Sequence, residues 1–302
     1  MCIRDRLYAV HGDRREVSTL RRDARSGRLT LWRSQSCEGL NPVHLALAPS
    51  GRYLMVSNHL SGTLAVLPVA ADGSLEPVAQ QIAMPGEAGP HRKEQPHAKP
   101  HYNLVDPTGR YVMVPDKGLD RVFLHALHDD RVGDPAVHVA AAREGAGPRH
   151  AVFHPSAPWT YVINELDNTV TAYALDEHAL RPFQVLPSLP DTYTSNSRAA
   201  GIAIDARGRH LYVSNRGDDS IAVFKVDAQT GRLAPVQHAA THGRTPRFFT
   251  LAPDGRFLFT LNEDSDTLER FRVHPDDGTL AHDGGTQPVG SPVCMVFAPR
   301  LA

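Results

Sequence analysis

The feature that most limits how this chain can fold is an internal repeat. Five segments share one pattern, opening at Asn41, Lys99, Gly147, Arg198 and Thr245. Each runs as an apolar stretch, a tight turn, a second apolar stretch closed by Asn or Asp, and a third stretch rich in β-branched residues. The clearest turn is Asp106-Pro107-Thr108-Gly109, and the closing residues are Asn58, Asp116, Asn164, Asn215 and Asn262. The repeat recurs about every 50 residues, the size of a blade-like unit. A weaker fourth stretch follows a turn such as Asp227 to Leu233.

These stretches alternate and favour Val, Tyr, Phe and Thr, as strands do. None holds a helical apolar period for long. Four short antiparallel strands per repeat predict an all-β fold, a β-propeller of four-stranded blades. A sandwich array or a β-helix fits the period less well. Five repeats are complete. Arg6 to His11 and Glu16 to Leu20 resemble the second and third strands of a further blade whose first strand is absent, and the stretch from Ser291 resembles one opening strand. The expectation is a single seven-bladed domain over 1–302. Its first blade would lack roughly 30–50 residues, most of one repeat, with residues 1–6 outside the native pattern.

Composition narrows the function. The 302 residues carry 32 basic and 33 acidic side chains, a net charge of −1. Without a basic stripe or acidic tail, neither nucleic acid nor an anionic membrane is the expected partner. No stretch is apolar for the length of a membrane span. Cys2, Cys37 and Cys294 are odd in number and far apart, which fits a reducing, cytoplasmic setting better than a disulfide framework. The opening residues show no signal-peptide core.

The hairpin in each repeat brings the start of its first strand and the end of its second to one face. Two recurring positions therefore line that face. The first, six residues before the turn proline or its equivalent, holds Val43, His101, Arg149, Ala200, Arg247 and Val293. The second, just after the closing Asn or Asp, holds His59, Lys117, Glu165, Arg216 and Glu263. His101, Arg149, Glu165, Arg216 and Arg247 come from four consecutive repeats and are expected to point at one funnel. A His and a Glu can exchange protons near neutral pH. Three arginines offer bidentate donors to a carboxylate or phosphate. The pattern suits an anionic substrate whose reaction moves a proton, although salt bridges between blades would use the same residues. Long loops at 84–100 and 186–197 are expected to flank that face, adding His97 and, with Lys117, further substrate contacts. The closing asparagines read as turn residues; a Ca²⁺ site built from them with Glu165 or Glu263 is the less favoured alternative. No nucleophile elbow or glycine-rich phosphate loop is present.

The motifs DPTGRYVMVPDKGLDRVF from Asp106, GAGPRHAVFHP from Gly145, YVINELDNTVTAY from Tyr161, LYVSNRGDDSIAVF from Leu211, GRTPRFFTLAPDGRF from Gly243 and VGSPVCMVF from Val289 resemble the seven-bladed propeller lactonase family. The resemblance spans about residues 7 to 298. That family contains bacterial propeller-type 6-phosphogluconolactonase and fungal carboxymuconate cyclase. The resemblance implies hydrolysis of a small anionic sugar lactone, with a muconate-type cycloisomerase or a non-catalytic binding platform as alternatives, and no cofactor or metal. It places the family's catalytic site on His101, Arg149, Glu165 and Arg216. Where the family usually has His-Pro-His, this chain has Lys99-Pro100-His101.

Overall fold

Each repeat folds as an antiparallel meander. Alternating apolar residues give each strand a face to bury, and Gly or Asp turns carry the positive φ that tight reversals require. The structure is a computed structural model and describes residues 2–3 and 5–298. Two compact units are present, Met1–Gly147 with Val296–Ala302, and Pro148–Met295.

The first unit holds three sheets. One is β1 (Cys2–Ile3), β2 (Arg6–Val10), β3 (Glu16–Arg22) and β4 (Leu29–Ser36), in that order. The next is β5 (Pro42–Leu47), β6 (Tyr53–Asn58), β7 (Thr63–Pro68) and β8 (Gln80–Ala83). The third is β9 (Leu104–Val105), β10 (Tyr111–Asp116) and β11 (Arg121–His128), with β12 (Arg131–Val132) and β13 (His138–Ala141) both pairing with β11. Tyr8, Val17, Leu54 and Leu67 fill the core between the first two sheets, and Met55, Leu64, Val112 and Phe123 the core between the next two.

The second unit repeats the plan with three four-stranded sheets. They are β14 (Pro148–Phe153) to β17 (Ala179–Pro187) through β15 (Trp159–Asn164) and β16 (Thr169–Asp176); β18 (Arg198–Ile204), β19 (His210–Arg216), β20 (Ser220–Val226) and β21 (Leu233–Ala240); and β22 (Pro246–Leu251), β23 (Phe257–Asn262), β24 (Thr267–Val273) and β25 (Leu280–Pro288). Tyr161, Ile163, Leu211 and Phe224 form one core and Tyr212, Val223, Leu258 and Phe271 the other.

Polar clasps tie neighbouring sheets within each unit. The hydroxyls of Tyr8, Tyr161 and Tyr212 donate to the carbonyls of Gly73, Gly231 and Gly278, at 2.7, 2.8 and 3.0 Å. Each glycine sits at positive φ in the turn before the next sheet's outer strand. Gln184 makes a two-way clasp: its amide donates to Leu233 O at 2.9 Å, and its Oε1 accepts from Leu233 N at 2.7 Å. Gln80 with Val132 and Gln237 with Leu280 do the same. Buried main-chain groups that face a neighbouring sheet are satisfied this way.

Several expectations need correction. The first strand of the second complete repeat is not continuous from Lys99. Pro100 forms one bridge to Asp116, and regular pairing resumes at Leu104. Proline has no N–H to give the ladder, which breaks the strand there. Residues 2–3 do pair with β2, at Cys2↔Leu7 and Ile3↔Arg6, where no first strand was expected. Residues 292–298 form no strand, and Val293, Val296 and Phe297 lie exposed. A strand needs a ladder partner, and no strand among the described residues pairs with this segment. Leu186 and Pro187 belong to β17, so the following loop is 188–197. The loop at 84–99 is a loop as expected.

Candidate functional site

The two recurring positions acquire their geometry from one local device. In the second, fourth, fifth and sixth sheets the first strand carries an extra residue. The ladder pairs Pro148 with Asn164 but His150 with Ile163, so Arg149 is the bulge. Arg247 is the extra residue between Pro246↔Asn262 and Phe248↔Leu261, and Val43 the one between Pro42↔Asn58 and His44↔Ser57. A bulge breaks the strict alternation of faces and re-aims a side chain. The second position opens a short hairpin loop whose last residue is left-handed: Asp120, Asn168, Asp219 and Asp266 have φ of 53°, 54°, 52° and 56°. His59, Lys117 and Glu263 donate their backbone N–H to the carbonyls of Asn41, Lys99 and Thr245, so the loop lies beside the opening of the first strand.

In the second unit this device gathers a buried charge cluster. Glu165 lies at its centre with its side chain 5% exposed. Arg149 Nε stands 2.9 Å from Glu165 Oε2. Arg216 Nη2 and Arg198 Nη1 stand 3.4 and 3.5 Å from Oε1. Main-chain carbonyls fix two of the guanidinium groups further. Arg149 Nη1 donates to Ala200 O at 2.7 Å, and Arg216 donates to the carbonyls of Arg198 and Ala199 at 3.3 and 3.1 Å. Arg247 adds a fourth guanidinium, 3.7 Å from Glu263.

Arg149, Arg216 and Glu165 are buried while Arg198 and Arg247 are partly exposed, so the buried heart of the cluster sets two guanidinium groups about one carboxylate. Burial, and then repulsion from Arg216, depresses the proton affinity of Arg149 despite the attraction of Glu165. Burial likewise lowers that of Arg216, with Arg247 adding to the effect. A buried like-charged set of this kind is relieved by an anion, and its fixed donors suit a carboxylate, a phosphate or an oxyanion.

The remaining candidates lie in the first unit. His101 is buried, and its ring meets that of His59 edge-on with centroids 5.0 Å apart. Lys117 is also buried, and its ammonium is held by Glu94 Oε2 at 3.0 Å, so the loop that carries Glu94 neutralises it. His97 is exposed and turns a ring nitrogen onto Ala98 O at 2.8 Å. Gln95 fastens this loop by donating to Lys117 O and Asp120 Oδ1. Gly118 is needed for its seating, because a Cβ there would fall 1.8 Å from His97 O.

The closing asparagines do not occupy the left-handed turn positions; Asn262 has φ −95°. Their amides instead donate inward. Asn58 reaches Thr63 and Cys37 O, Asn164 reaches Thr169 and Thr171, Asn215 reaches Ser220 and Ser188 O, and Asn262 reaches Thr267 and Thr241 O. They are stitches between strands. Among the described residues no group of three or more His, Cys, Asp or Glu is placed to hold a metal ion.

Two residues of interest were not singled out by the repeat. Arg198 is the ladder partner of Arg216, so pairing across the strand was the signal that could have found it. Asp116 takes the place of the recurring asparagine in the second complete repeat. Its Oδ1 accepts from the N–H groups of Lys99, Gly118 and Leu119, at 2.8, 2.9 and 3.0 Å. Burial pushes its carboxyl up to about 7, with Asp120 adding to the shift and the three N–H donors opposing it.

Repeated antiparallel four-stranded meanders are the blades of a propeller, and in the second unit arginines stand where a first strand opens and a second closes. The chain belongs to the propeller lactonases: residues 3–297 match the family described as "Lactonase, 7-bladed beta-propeller". The family description gives seven blades, whereas the described residues of this chain form six sheets. The chain is 37% identical over 284 residues to the 6-phosphogluconolactonase of Bacillus subtilis (strain 168), covering 93% of this chain and 80% of that protein. It is 31% identical over 289 residues to the 6-phosphogluconolactonase of Formosa agariphila, covering 91% and 80%. Among solved structures, the periplasmic gluconolactonase of Pseudomonas aeruginosa superposes with a TM-score of 0.83 at 33% identity, covering 92% of this chain and 78% of that one.

Proposed function

We propose that this protein hydrolyses a small anionic sugar lactone, 6-phosphogluconolactone above others. The observation that carries the reading is the cluster of Arg149, Arg198, Arg216 and Arg247 about Glu165 and Glu263. Such a set supplies fixed positive charge to an anionic substrate and to the oxyanion formed when water adds to the lactone carbonyl. The names of the relatives point to the same substrate class.

Both Glu165 oxygens already face guanidinium groups, so the role assigned to Glu165 is to hold the arginines in register. His101 is assigned the proton. It takes one from water as the new C–O bond forms, and returns it to the ring oxygen as the old C–O bond breaks. Its support is the Pro100-His101 pair, which matches the second half of the family's His-Pro-His. Arg149 and Arg216 hold the developing oxyanion; Arg247 helps to hold the substrate's charge. A phosphorylated sugar substrate and the sparse cysteines favour the cytoplasm as the compartment.

The test pairs two reactions. Purified protein should accelerate opening of 6-phosphogluconolactone above its spontaneous rate and should not close a muconate-type diacid. His101→Ala should lower kcat by about 100-fold, the usual reach of a positioned acid–base group, with a smaller effect on KM. Full activity in that variant would remove His101 from the mechanism, and turnover of the diacid alone would replace the substrate class.

A further inference from the structure

Arg149 and His150 are neighbours in sequence, and in a regular strand their side chains would point to opposite faces of the sheet. The bulge at Arg149 breaks that alternation, and the two side chains meet: Arg149 Nη1 lies 3.0 Å from His150 Nε2. A guanidinium only donates, so Nε2 is the acceptor and the ring is neutral, with its proton on Nδ1. Arg149 Nη1 also donates to Ala200 O at 2.7 Å. Its Nε stands 2.9 Å from Glu165 Oε2, close as an ion pair but off the line of a hydrogen bond. That leaves the pair of N–H groups on Nη2, which have no partner among the described residues. A buried guanidinium is thus held by one end and offers the other.

From this contact we infer that His150 is a positioning residue for Arg149: by accepting from Nη1 it sets the plane of the guanidinium, so that Nη2 is presented to the anion in the site. The inference rests on the lactonase reading for the role of Arg149. Two acceptors on one planar nitrogen fix the plane of the whole group more firmly than one. Donors held in place before charge develops on the carbonyl oxygen stabilise it without reorganising. The other bulged arginine shows what the contact adds. In the sixth sheet the residue after Arg247 is Phe248, which has no acceptor to give, and the Arg247 side chain is 37% exposed against 3% for Arg149. A neutral acceptor also suits this place better than a second carboxylate, because it orients Arg149 without cancelling its charge.

The experiment places His150→Leu and His150→Gln in the wild-type chain and in Arg149→Met, at about pH 8, where an ordinary histidine is neutral. Glutamine keeps an acceptor near the place of Nε2, and leucine does not. One readout is kcat/KM for 6-phosphogluconolactone. The other is Kd for 6-phosphogluconate by calorimetry, which requires no turnover and puts the product carboxylate where the lactone carbonyl stood. His150→Leu should weaken both by about tenfold, the reach of one hydrogen bond to a charged group, and His150→Gln should recover most of the loss. In Arg149→Met the leucine substitution should change neither by more than about twofold, because its partner is already gone. Nitrogen NMR of the wild-type ring should find the proton on Nδ1. Equal losses in both backgrounds would overturn the inference, since His150 would then act on the ligand or the fold without Arg149. No loss in either, or a ring proton on Nε2, would also overturn it. Wild type that binds 6-phosphogluconate through this coupled pair yet opens no lactone would leave the inference standing and refute the hydrolase reading instead.

Discussion

Replacing Asp116 with asparagine should change how stability depends on pH. Asp116 is fully buried, and its Oδ2 has no hydrogen-bond partner among the described residues. Its carboxyl is pushed up to about 7, against 3.8 for an ordinary aspartate. Between these values the folded protein keeps a proton that the unfolded chain has lost. Stability from this group is thus fully present at low pH and declines as pH rises toward 7. Each pH unit corresponds to about 1.4 kcal/mol, so the decline between pH 5 and pH 7 is on the order of 2 kcal/mol. The contribution flattens about one pH unit higher. The carboxamide of the variant cannot ionise, and four of the other repeats place asparagine at the equivalent site, so the backbone accommodates it. The difference in unfolding free energy between D116N and wild type should therefore move in favour of the variant by about 2–3 kcal/mol from pH 5 to pH 8. Urea melts at both pH values measure it directly, and histidines that titrate in both proteins cancel. A difference that stays constant across this range would show that Asp116 is ionised throughout, and the argument from burial would fail.

Glu165→Gln leaves Arg149 and Arg216 buried without their shared counter-charge. The loss should be about 3–5 kcal/mol by chemical denaturation, as for other broken buried ion pairs; a loss below about 1 kcal/mol would mean that the cluster is solvated. Gln184→Ala removes both arms of the clasp to Leu233 and strands a buried N–H and C=O. It should cost about 1–3 kcal/mol without altering kcat; an activity change larger than the stability change would show that the clasp does more than join sheets.

Much of this architecture was legible in the sequence because the repeat constrains it redundantly. A hairpin of fixed length forces the residue after the closing Asn or Asp to lie beside the opening of the first strand. His101, Arg149, Glu165, Arg216 and Arg247 could be selected on that basis alone. What escaped depended on contacts rather than period. Arg198 stands one ladder pairing away from Arg216, and nothing in its own repeat position marks it. Asp116 looks like an ordinary closing residue until its burial and its three N–H donors are known. The glutamine clasps sit on outer strands whose sequence is irregular. The β-bulges at Val43, Arg149 and Arg247 leave no compositional trace, although they decide where those side chains point. The stretch from Ser291 has the composition of a strand, yet composition supplies no ladder partner.

The account depends most on the arginine cluster acting on substrate rather than serving only as structure. The most direct test is the kcat/KM for 6-phosphogluconolactone in Arg149→Met and Arg216→Met, each checked for an intact β-sheet spectrum. Loss of fixed charge at the oxyanion should lower kcat/KM by about 100-fold or more in each. Values within about threefold of wild type, well short of the effect expected at an oxyanion site, would contradict it.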